Sequence, residues 1–379
     1  MTTRPFQLTD ATDVNRLHAD VWWHERSLAG WRWLAANPAR QISQAPLGWV
    51  IADAEGRAAA FVGNFIQRFW LGERAIHGAS GFSIIVPPAQ RGAAPRLIRT
   101  LMRQADCSFR YTLNANPKAA RLYPRLGLAP CPERGHEVKL AWIIDPVTCA
   151  WGRFLRSAVH HSPGLADHLG ERLMSRNAAR AGAMSPCDLP LPPEIRWITD
   201  LSDASAFSVF WDELRDQGRL IADRSPATLR WRVTDPELTV APLLLGCERD
   251  GCIVGYAQAV MSKGSPIEPP ALEVIDLIAL DRAPTAVPAL MHALLNLAPH
   301  LGVARVRLQV VNGPLLDALG PLARQARREG GWGHCHAQFD AELEDAARDW
   351  RPTPYDGDYA FCLRPVPAPG RAAAVDQAA

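Results

Sequence analysis

The feature that most constrains the fold of this chain is an internal repeat within its 379 residues. The first copy reads Arg26-Ser27-Leu28-Ala29-Gly30-Trp31-Arg32-Trp33 and ends at Asn37-Pro38. The second reads Arg224-Ser225-Pro226-Ala227-Thr228-Leu229-Arg230-Trp231 and ends at Asp235-Pro236. Arg, Ser, Ala, Arg, Trp and the Asx-Pro turn match at one constant offset without a gap. A repeat of this length means that one structural unit is present twice.

The same order of elements continues after the match in both copies. Strand, turn and strand patterns predict hairpins at 50–61 and 245–256. They are followed by strands at 81–86 and 273–280, helices at 95–105 and 287–298, strands at 109–116 and 304–312, and a short helix. Apolar side chains at i, i+3, i+4 and i+7 give each long helix one core face. This order predicts an α/β (α+β) fold with tandem domains, each a mixed, mostly antiparallel sheet flanked by helices.

The repeat also predicts the domain boundaries. We place an N-terminal domain at 1–146 and a C-terminal domain at 194–366. The segment 147–193 is rich in Arg, Ala, Pro and His, and we interpret it as a linker or connecting helix. Residues 367–379 lack a periodic apolar face, which predicts a disordered tail.

Composition narrows the range of partners. The net charge is +2, so nothing indicates nucleic acid or an anionic membrane as a partner. Lysine occurs only at 118, 139 and 263, and with abundant Ala and Pro this favours a GC-rich bacterial genome over phosphate recognition. The N-terminus has no apolar leader and no apolar stretch is long enough to span a bilayer, so we expect a cytoplasmic protein. The oligomeric state stays open.

Cysteine and histidine give little sign of a metal. No Cys-x-x-Cys pair is present, which argues against a disulfide framework or a zinc knuckle. His334-Cys335-His336 is a local cluster of potential ligands, but it lacks a second ligand pair at useful spacing. We expect a turn at this position and no metal.

A strand-to-helix turn in the first copy suits phosphate binding. It reads Val86-Pro87-Pro88-Ala89-Gln90-Arg91-Gly92-Ala93-Ala94-Pro95. Small residues there expose successive backbone N–H groups, and the positive end of the helix dipole adds to the attraction for a pyrophosphate. Pro95 fits the first helical position.

Together with Asn114-Ala115-Asn116 and Leu122-Tyr123-Pro124-Arg125-Leu126-Gly127-Leu128, this turn resembles the motifs of the GCN5-related N-acetyltransferase (GNAT) superfamily. The resemblance covers about 1–140 well and, through the repeat, about 194–365 more weakly. The double layout resembles bacterial tandem-GNAT proteins. It implies acyl transfer to an amine from acetyl-CoA or a longer acyl-CoA, used as co-substrate.

The resemblance also implies roles for particular residues. Tyr123 matches the general acid that protonates the departing thiolate. The strand at 82–86 would pair with the pantetheine arm, and its N–H groups would polarise the thioester carbonyl. The implied cofactor-binding residues are Ile84, Ile85, Val86, Gln90, Arg91, Gly92, Ala93, Ala94, Pro95 and Asn116.

Several positions depart from the superfamily pattern. Arg96 replaces a small residue and would either crowd the phosphates or point away from them. Ser83 stands where many members carry an acidic residue, so the match supplies no general base. We therefore consider water or one of four side chains as the base, namely His24, Glu25, Glu73 and His77. Four tryptophans are candidates for either a pocket or the core: Trp22, Trp23, Trp31 and Trp33.

The second copy lacks the features that carry the resemblance. Asp281 stands at the position of the Arg-Gly turn, and Leu319 is in register with Tyr123. We infer a degenerate, pseudo-GNAT domain that completes an acceptor cleft, covers the first domain or contacts a macromolecule. The segment 350–359 could form an acidic rim, although its turn residues favour a surface turn.

The leading hypothesis is an N-acyltransferase whose acceptor is a small amine, an amino sugar or a peptide. One alternative is a non-catalytic GNAT-like module for binding or interaction. Another is an aminoacyl-tRNA-dependent transferase of similar tandem architecture, which the weak basic balance and the retained Arg-Gly turn disfavour.

Overall fold

Two eight-stranded sheets organise this chain. The computed structural model describes residues 2–21, 23–104, 107–159, 189–265, 267–330 and 333–367. Each sheet is mixed, mostly antiparallel and flanked by helices, so the predicted fold class is confirmed. Within the described residues, no helix is both long and apolar enough to cross a membrane.

The strands and helices occur where the repeat predicts them. The strands are β1 (Thr2–Pro5), β2 (Gly48–Ala52), β3 (Ala58–Leu71), β4 (Arg74–Ile85), β5 (Phe109–Ala115), β6 (Ala129–Pro130), β7 (Val138–Ile143), β8 (Ile195–Trp197), β9 (Ile221–Ala222), β10 (Leu243–Arg249), β11 (Cys252–Lys263), β12 (Ala271–Ala279), β13 (Arg305–Val310), β14 (Arg327–Glu329), β15 (His334–Phe339) and β16 (Arg364–Pro365). The α-helices are α1 (Ala11–Asp20), α2 (Leu28–Ala35), α3 (Pro38–Ser43), α4 (Ala93–Met102), α5 (Pro117–Ala120), α6 (Pro146–Val159), α7 (Ala206–Arg215), α8 (Pro226–Val233), α9 (Ala286–Leu297), α10 (Gly313–Leu319), α11 (Pro321–Gln325) and α12 (Glu344–Arg348).

The two halves exchange strands. The first sheet has the order β1-β2-β3-β4-β5-β15-β6, with β9 paired to β3. The second has the order β14-β7-β13-β12-β11-β10-β8, with β16 paired to β11. Thus β7 from the first half lies in the second sheet, and β15 from the second half lies in the first. Because each sheet is incomplete without the other half, the boundaries at 146 and 194 divide the chain by sequence and not by sheet.

The matched tryptophans of the repeat join the two halves. Trp33 on α2 and Trp231 on α8 stack with ring centroids 4.3 Å apart and planes inclined by 10°. Each indole Nε1–H donates to the other's carbonyl oxygen, at 2.9 Å from Trp33 and 3.2 Å from Trp231. Equivalent positions of the repeat therefore meet across a local pseudo-twofold axis. Trp31 is fully buried in the core of the first half.

Two expectations about the C-terminal region are wrong. His334-Cys335-His336 lies in strand β15 and not in a turn, because its backbone pairs with β5 and β6. The segment 350–359 is not a surface turn, since every residue from 352 to 359 is buried. It contains short 3₁₀ helices, Pro354–Asp356 and the start of Tyr359–Cys362, and packs between the sheets. The local composition of 334–336 and of 350–359 does not show that these segments are paired or buried, because the strands that cover them are distant in the sequence.

The interpretation of 147–193 as a linker or connecting helix stays a prediction. Helix α6 occupies the beginning of this segment. Residues 160–188 lie outside the described part of the chain, and so does the predicted tail from 368 onward.

Candidate active site

A bulge opens the first sheet at its centre. Strands β4 and β5 pair in parallel only from Gly78 to Ser80, and beyond that point they separate. In the same stretch the register between β3 and β4 shifts, and Ser83 takes a positive φ of 47°. A non-glycine residue in the left-handed region is uncommon and often marks a functional site. The bulge turns the backbone of β4 away from its ladder, so its peptide groups face a cavity.

The cavity has a volume of about 640 Å³. On one side it is lined by the separated strands β4 and β5 and by helix α5. On the other side it is lined by residues of β7, β11, β13 and the segment 358–364, which belongs to the second half. A cavity of this size at the junction of two units is typical of a small-molecule site.

Helix α4 begins at the edge of this cavity with an open N-terminus. Gly92 is its N-cap, with φ 93° and no side-chain cap. Within the described chain, the N–H groups of Gly92, Ala93 and Ala94 find no acceptor. Since the first N–H groups of a helix have no intrahelical partner, these donors can bind an anion. The helix starts earlier than predicted, so Pro95 is its third residue and contributes no N–H group.

The corresponding helix start in the second half has fewer free donors, since the N–H of Val287 bonds to the carbonyl of Pro284 at 3.3 Å. The N–H groups of Ala283 and Ala286 bond to carbonyls of the same turn, at 2.8 and 3.0 Å. Asp281 is engaged by Arg219 and Arg351 at 2.9 and 2.8 Å. A helix start with fewer free donors and an exposed acidic group is less suited to phosphates.

Tyr123 lies inside the cavity of the first half. It begins the 3₁₀ helix Tyr123–Leu126, is only 4% exposed and lines the cavity. Burial, together with the charge of Asp358, raises the pKa of Tyr123, and the neighbouring Thr112 hydroxyl opposes the rise. The phenol therefore keeps its proton at neutral pH. The ring of His336, on the exchanged strand β15, lies 5.5 Å from the Tyr123 ring.

Asp358 is a second ionisable group in the cavity, and its position was missed in the sequence. It is 3% exposed and lines the cavity together with Tyr123. Its Oδ2 accepts a hydrogen bond from Cys362 Sγ at 3.4 Å, and the Ser80 hydroxyl and the backbone N–H of Asp358 also lie close enough to favour the charged form. Burial raises the pKa of Asp358 to about 6. A carboxyl with such a pKa can accept a proton near neutrality.

The four predicted bases occupy different places. His24 lines the cavity, where its Nε2 lies 3.2 Å from Glu237 Oε2. Glu25 is exposed and lies near Arg364, where its charge opposes the lowering of the Arg364 pKa by burial. Glu73 is exposed at the β3–β4 hairpin, and His77 lies on β4 well before the bulge. Neither of these two lines the cavity, because β4 carries them toward its other end.

The predicted cofactor-binding residues divide into three groups. Those that line the cavity are Ile84, Val86, Ala94 and Asn116. Asn116 also caps α5, accepting from the N–H groups of Lys118 and Ala119 at 2.9 Å each. Ile85 points the other way and packs in the core with Phe61 and Phe82. The turn residues that lie at the cavity edge without lining it are Gln90, Arg91, Gly92, Ala93 and Pro95.

The remaining sequence candidates have clear positions. Arg96 is exposed and does not line the cavity, so its side chain does not fill the space at the turn. Trp23 lines the cavity, Trp31 and Trp33 are buried, and Trp22 lies outside the described residues. Within the described residues, no group of three or more His, Cys, Asp and Glu side chains is placed to hold a metal ion.

The second sheet opens at the equivalent place, but its own chain fills the space. Pairing of β12 with β13 ends at Val274, and a register shift follows. Arg224 lies there, bonded to Asp276 at 2.6 Å and to Asp356 at 2.7 Å. Thr353 and Tyr355 complete this fully buried cluster. The second copy therefore contributes its C-terminal segment to the first cavity, and the same segment occupies the opening of its own sheet.

Comparison with known proteins supports the fold. No protein-family model matches this chain, and no curated protein matches its sequence. The structure is similar to a GCN5-related N-acetyltransferase from Anabaena variabilis, at 14% identity over 90% of this chain and 73% of that one, with a TM-score of 0.50. It is also similar to N-myristoyltransferase of Saccharomyces cerevisiae, solved with bound myristoyl-CoA, at 10% identity over 89% of this chain and 78% of that one, with a TM-score of 0.53. At these identities the similarity shows the fold.

Proposed function

We propose that this chain, which has the fold of the GCN5-related N-acetyltransferase superfamily in tandem form, transfers an acyl group from acyl-CoA to an amine. The observation that carries the proposal is a single cavity that joins three features. These are the bulge of β4, the uncapped start of α4 and the buried phenol of Tyr123. Each feature suits a different part of an acyl thioester.

The phosphates of the co-substrate would bind at the start of α4. The free N–H groups of Gly92, Ala93 and Ala94 would donate to the pyrophosphate, and the helix dipole adds to the attraction. Arg91 and Lys118 are exposed at this end and supply positive charge. The pantetheine arm would then run along the bulged part of β4, past Ile84 and Asn116.

The chemistry would take place between Tyr123 and Asp358. The amine nitrogen attacks the thioester carbonyl carbon, and a proton leaves the nitrogen for the Asp358 carboxylate. The oxyanion that forms is stabilised by backbone N–H groups of the bulge. When the C–S bond breaks, the thiolate takes the proton of the Tyr123 hydroxyl. The products are an amide and the free thiol of CoA.

Arg91 provides the first test, because its side chain is exposed and its charge can be reversed without opening the core. We expect Arg91→Glu to weaken acetyl-CoA binding about tenfold or more, since a carboxylate beside the helix start repels the phosphates. Calorimetry with acetyl-CoA and with a long-chain acyl-CoA measures the affinities. Arg99→Glu is the matched control, because Arg99 is exposed in the last turn of the same helix. Absence of binding to both thioesters by the unmodified protein would favour a non-catalytic module.

Tyr123 provides the second test. We expect Tyr123→Phe to lower kcat about 10- to 100-fold while KM for acyl-CoA changes less than threefold, because the hydroxyl acts on the leaving thiolate. Steady-state release of the CoA thiol measures both constants. Equal losses in kcat and in affinity would contradict the role as acid.

A further inference from the structure

The lysines of this chain are concentrated at one place. Only three of its 41 basic residues are lysines, and all three line the cavity of the candidate active site. Lys118 lies on α5, at the end where the phosphates would bind. Lys139 on β7 and Lys263 at the end of β11 lie on the opposite side, which the second sheet provides. Unlike the planar guanidinium of arginine, each lysine presents a compact ammonium with three rotatable donors.

Lys139 is buried without the partner that a buried cation normally requires. Its residue is 7% exposed, and its Nζ makes no hydrogen bond within the described chain. Its Nζ lies 5.3 Å from the centroid of the Tyr359 ring. Burial lowers the pKa of Lys139, although Glu273 opposes this. An ammonium that faces a cavity with its hydrogen-bonding capacity unused is a binding site for a ligand anion.

The acidic groups behind this end of the cavity are already engaged. Glu273 accepts from Arg307 Nε at 2.5 Å and from the Tyr359 hydroxyl at 2.8 Å. Glu268 and Glu329 both pair with Arg305, at 2.5 and 3.4 Å. None of these carboxylates forms a direct bond to Lys139.

The surface at this end of the cavity carries more cations than anions. Its cationic lining residues are Lys139, Lys263, Arg307 and Arg364, and its acidic ones are Glu268 and Asp358. Such a surface attracts a negative group and repels a polycation such as a polyamine or an amino sugar with several amines. The acceptor amine itself must reach Asp358, which lies in the same cavity.

We propose that the acceptor is a small molecule that carries a carboxylate as well as its amine, as an amino acid does, and that Lys139 and Lys263 bind this carboxylate. The inference rests on the proposed acyl transfer and names the class of substrate for it. The amine is then directed at Asp358 and the thioester, while the carboxylate lies against the second sheet. The position of β7 in the second sheet matters for this site, because it places Lys139 of the first half on the side of the cavity that the second half provides.

The test compares each of the twenty protein amino acids with its own carboxamide, using release of the CoA thiol from acetyl-CoA. We expect at least one amino acid to have a kcat/KM about 10- to 100-fold above that of its carboxamide, as for a charge-assisted hydrogen bond. Lys139→Met and Lys263→Met should bring this ratio toward one. Lys118→Met is the matched control and should leave the ratio unchanged, because Lys118 lies at the phosphate end.

The outcomes separate this inference from the proposed function. Calorimetric binding of acyl-CoA, with no amino acid preferred over its carboxamide, would overturn the inference alone. So would a preference that persists in both Lys139→Met and Lys263→Met when thermal unfolding shows that the variants are folded. Failure of the unmodified protein to bind either acyl-CoA would reject both proposals. A collapse of the ratio in both variants, with acyl-CoA affinity within threefold of the original, supports the inference.

Discussion

Asp358→Asn should reduce kcat/KM by about 100- to 10,000-fold, the range for loss of a positioned general base. The side chain keeps its shape, and an amide Nδ2 or Oδ1 still meets Cys362. Folding should be unaffected or slightly favoured, because a neutral amide is cheaper to bury than a carboxylate. Thermal unfolding at pH 8 checks the fold, and acyl-CoA calorimetry checks that the co-substrate site is intact.

The assignment of the base to Asp358 also predicts the direction in which kcat/KM changes with pH. Since burial raises the pKa of Asp358 to about 6, the carboxyl is protonated below that pH and cannot accept the amine's proton. For the original protein, kcat/KM should therefore rise with pH through a midpoint near 6. In Asp358→Asn this rise of kcat/KM near pH 6, the acid limb of the pH profile, should be absent, because the titrating group has been removed.

His24 is the competing base and supplies the control. It also lines the cavity, but its Nε2 is committed to Glu237 at 3.2 Å. We expect His24→Gln to cost less than about tenfold and to keep the limb near pH 6. If His24→Gln loses the limb and Asp358→Asn retains it, the assignment of the base to Asp358 is wrong.

The sequence predicts local features well. Hairpins, strands and helices depend on short-range periodicity, and both copies follow the predicted order from β2 to α5 and from β10 to α10. The turn that we propose binds phosphates could also be located in the sequence, because its small residues and the following helix are contiguous. The repeat adds one long-range fact, since it pairs Trp33 with Trp231 at equivalent positions.

Features that depend on distant contacts could not be predicted in the same way. The sequence of β7 has the pattern of an ordinary strand, and nothing in it indicates pairing with β13 of the other half. Asp356 and Asp358 have the composition of a surface turn, and only the covering sheets make them buried. Because Ser83 is not acidic, the sequence indicated no general base on β4. The structure places the carboxyl of Asp358 in the cavity instead, from a segment more than half the chain away.

Asp356 and Asp358 also show how one segment serves both halves. Asp356 is bound by Arg224 in the opening of the second sheet, and Asp358 faces the cavity of the first. The junction between two 3₁₀ helices, Pro354–Asp356 and Tyr359–Cys362, thus fills the opening of the second sheet and lines the cavity of the first. Loss of the anchor at Arg224 should therefore disturb both the second half and the position of Asp358.

Arg224→Met should lower the free energy of unfolding by about 3–5 kcal/mol, because it leaves two buried carboxylates without their cation. Arg224 is 1% exposed and bonds to Asp276, Asp356, Thr353 and the carbonyl of Ala222. Denaturant unfolding monitored by tryptophan fluorescence measures the loss. An effect below about 1 kcal/mol would show that the cluster does not hold this segment.

The loss in Arg224→Met should grow as the pH rises. Burial raises the pKa of Asp356 to about 6 even with Arg224 present, and loss of the guanidinium, which opposes this rise, should raise that pKa further above its unfolded value. The folded state then binds more protons than the unfolded state, so stability is retained at low pH and falls as the pH increases. Unfolding at pH 5 and at pH 8 tests this sign, and a loss that is larger at pH 5 would contradict it.

Arg26→Met is the matched control, because Arg26 occupies the equivalent position of the repeat. Arg26 is 2% exposed and bonds to a single carboxylate, Asp235, at 2.7 Å, and to the carbonyl of Phe361 at 3.2 Å. We expect a smaller loss of about 1–3 kcal/mol, since only one acid is left without a cation and Asp235 retains a bond from the N–H of Glu237.

The triple variant Arg224→Met with Asp276→Asn and Asp356→Asn should recover part of the stability, because it removes the unpaired charges as well. If the triple variant is no more stable than Arg224→Met alone, the stability lost in Arg224→Met comes from packing and not from the unpaired carboxylates.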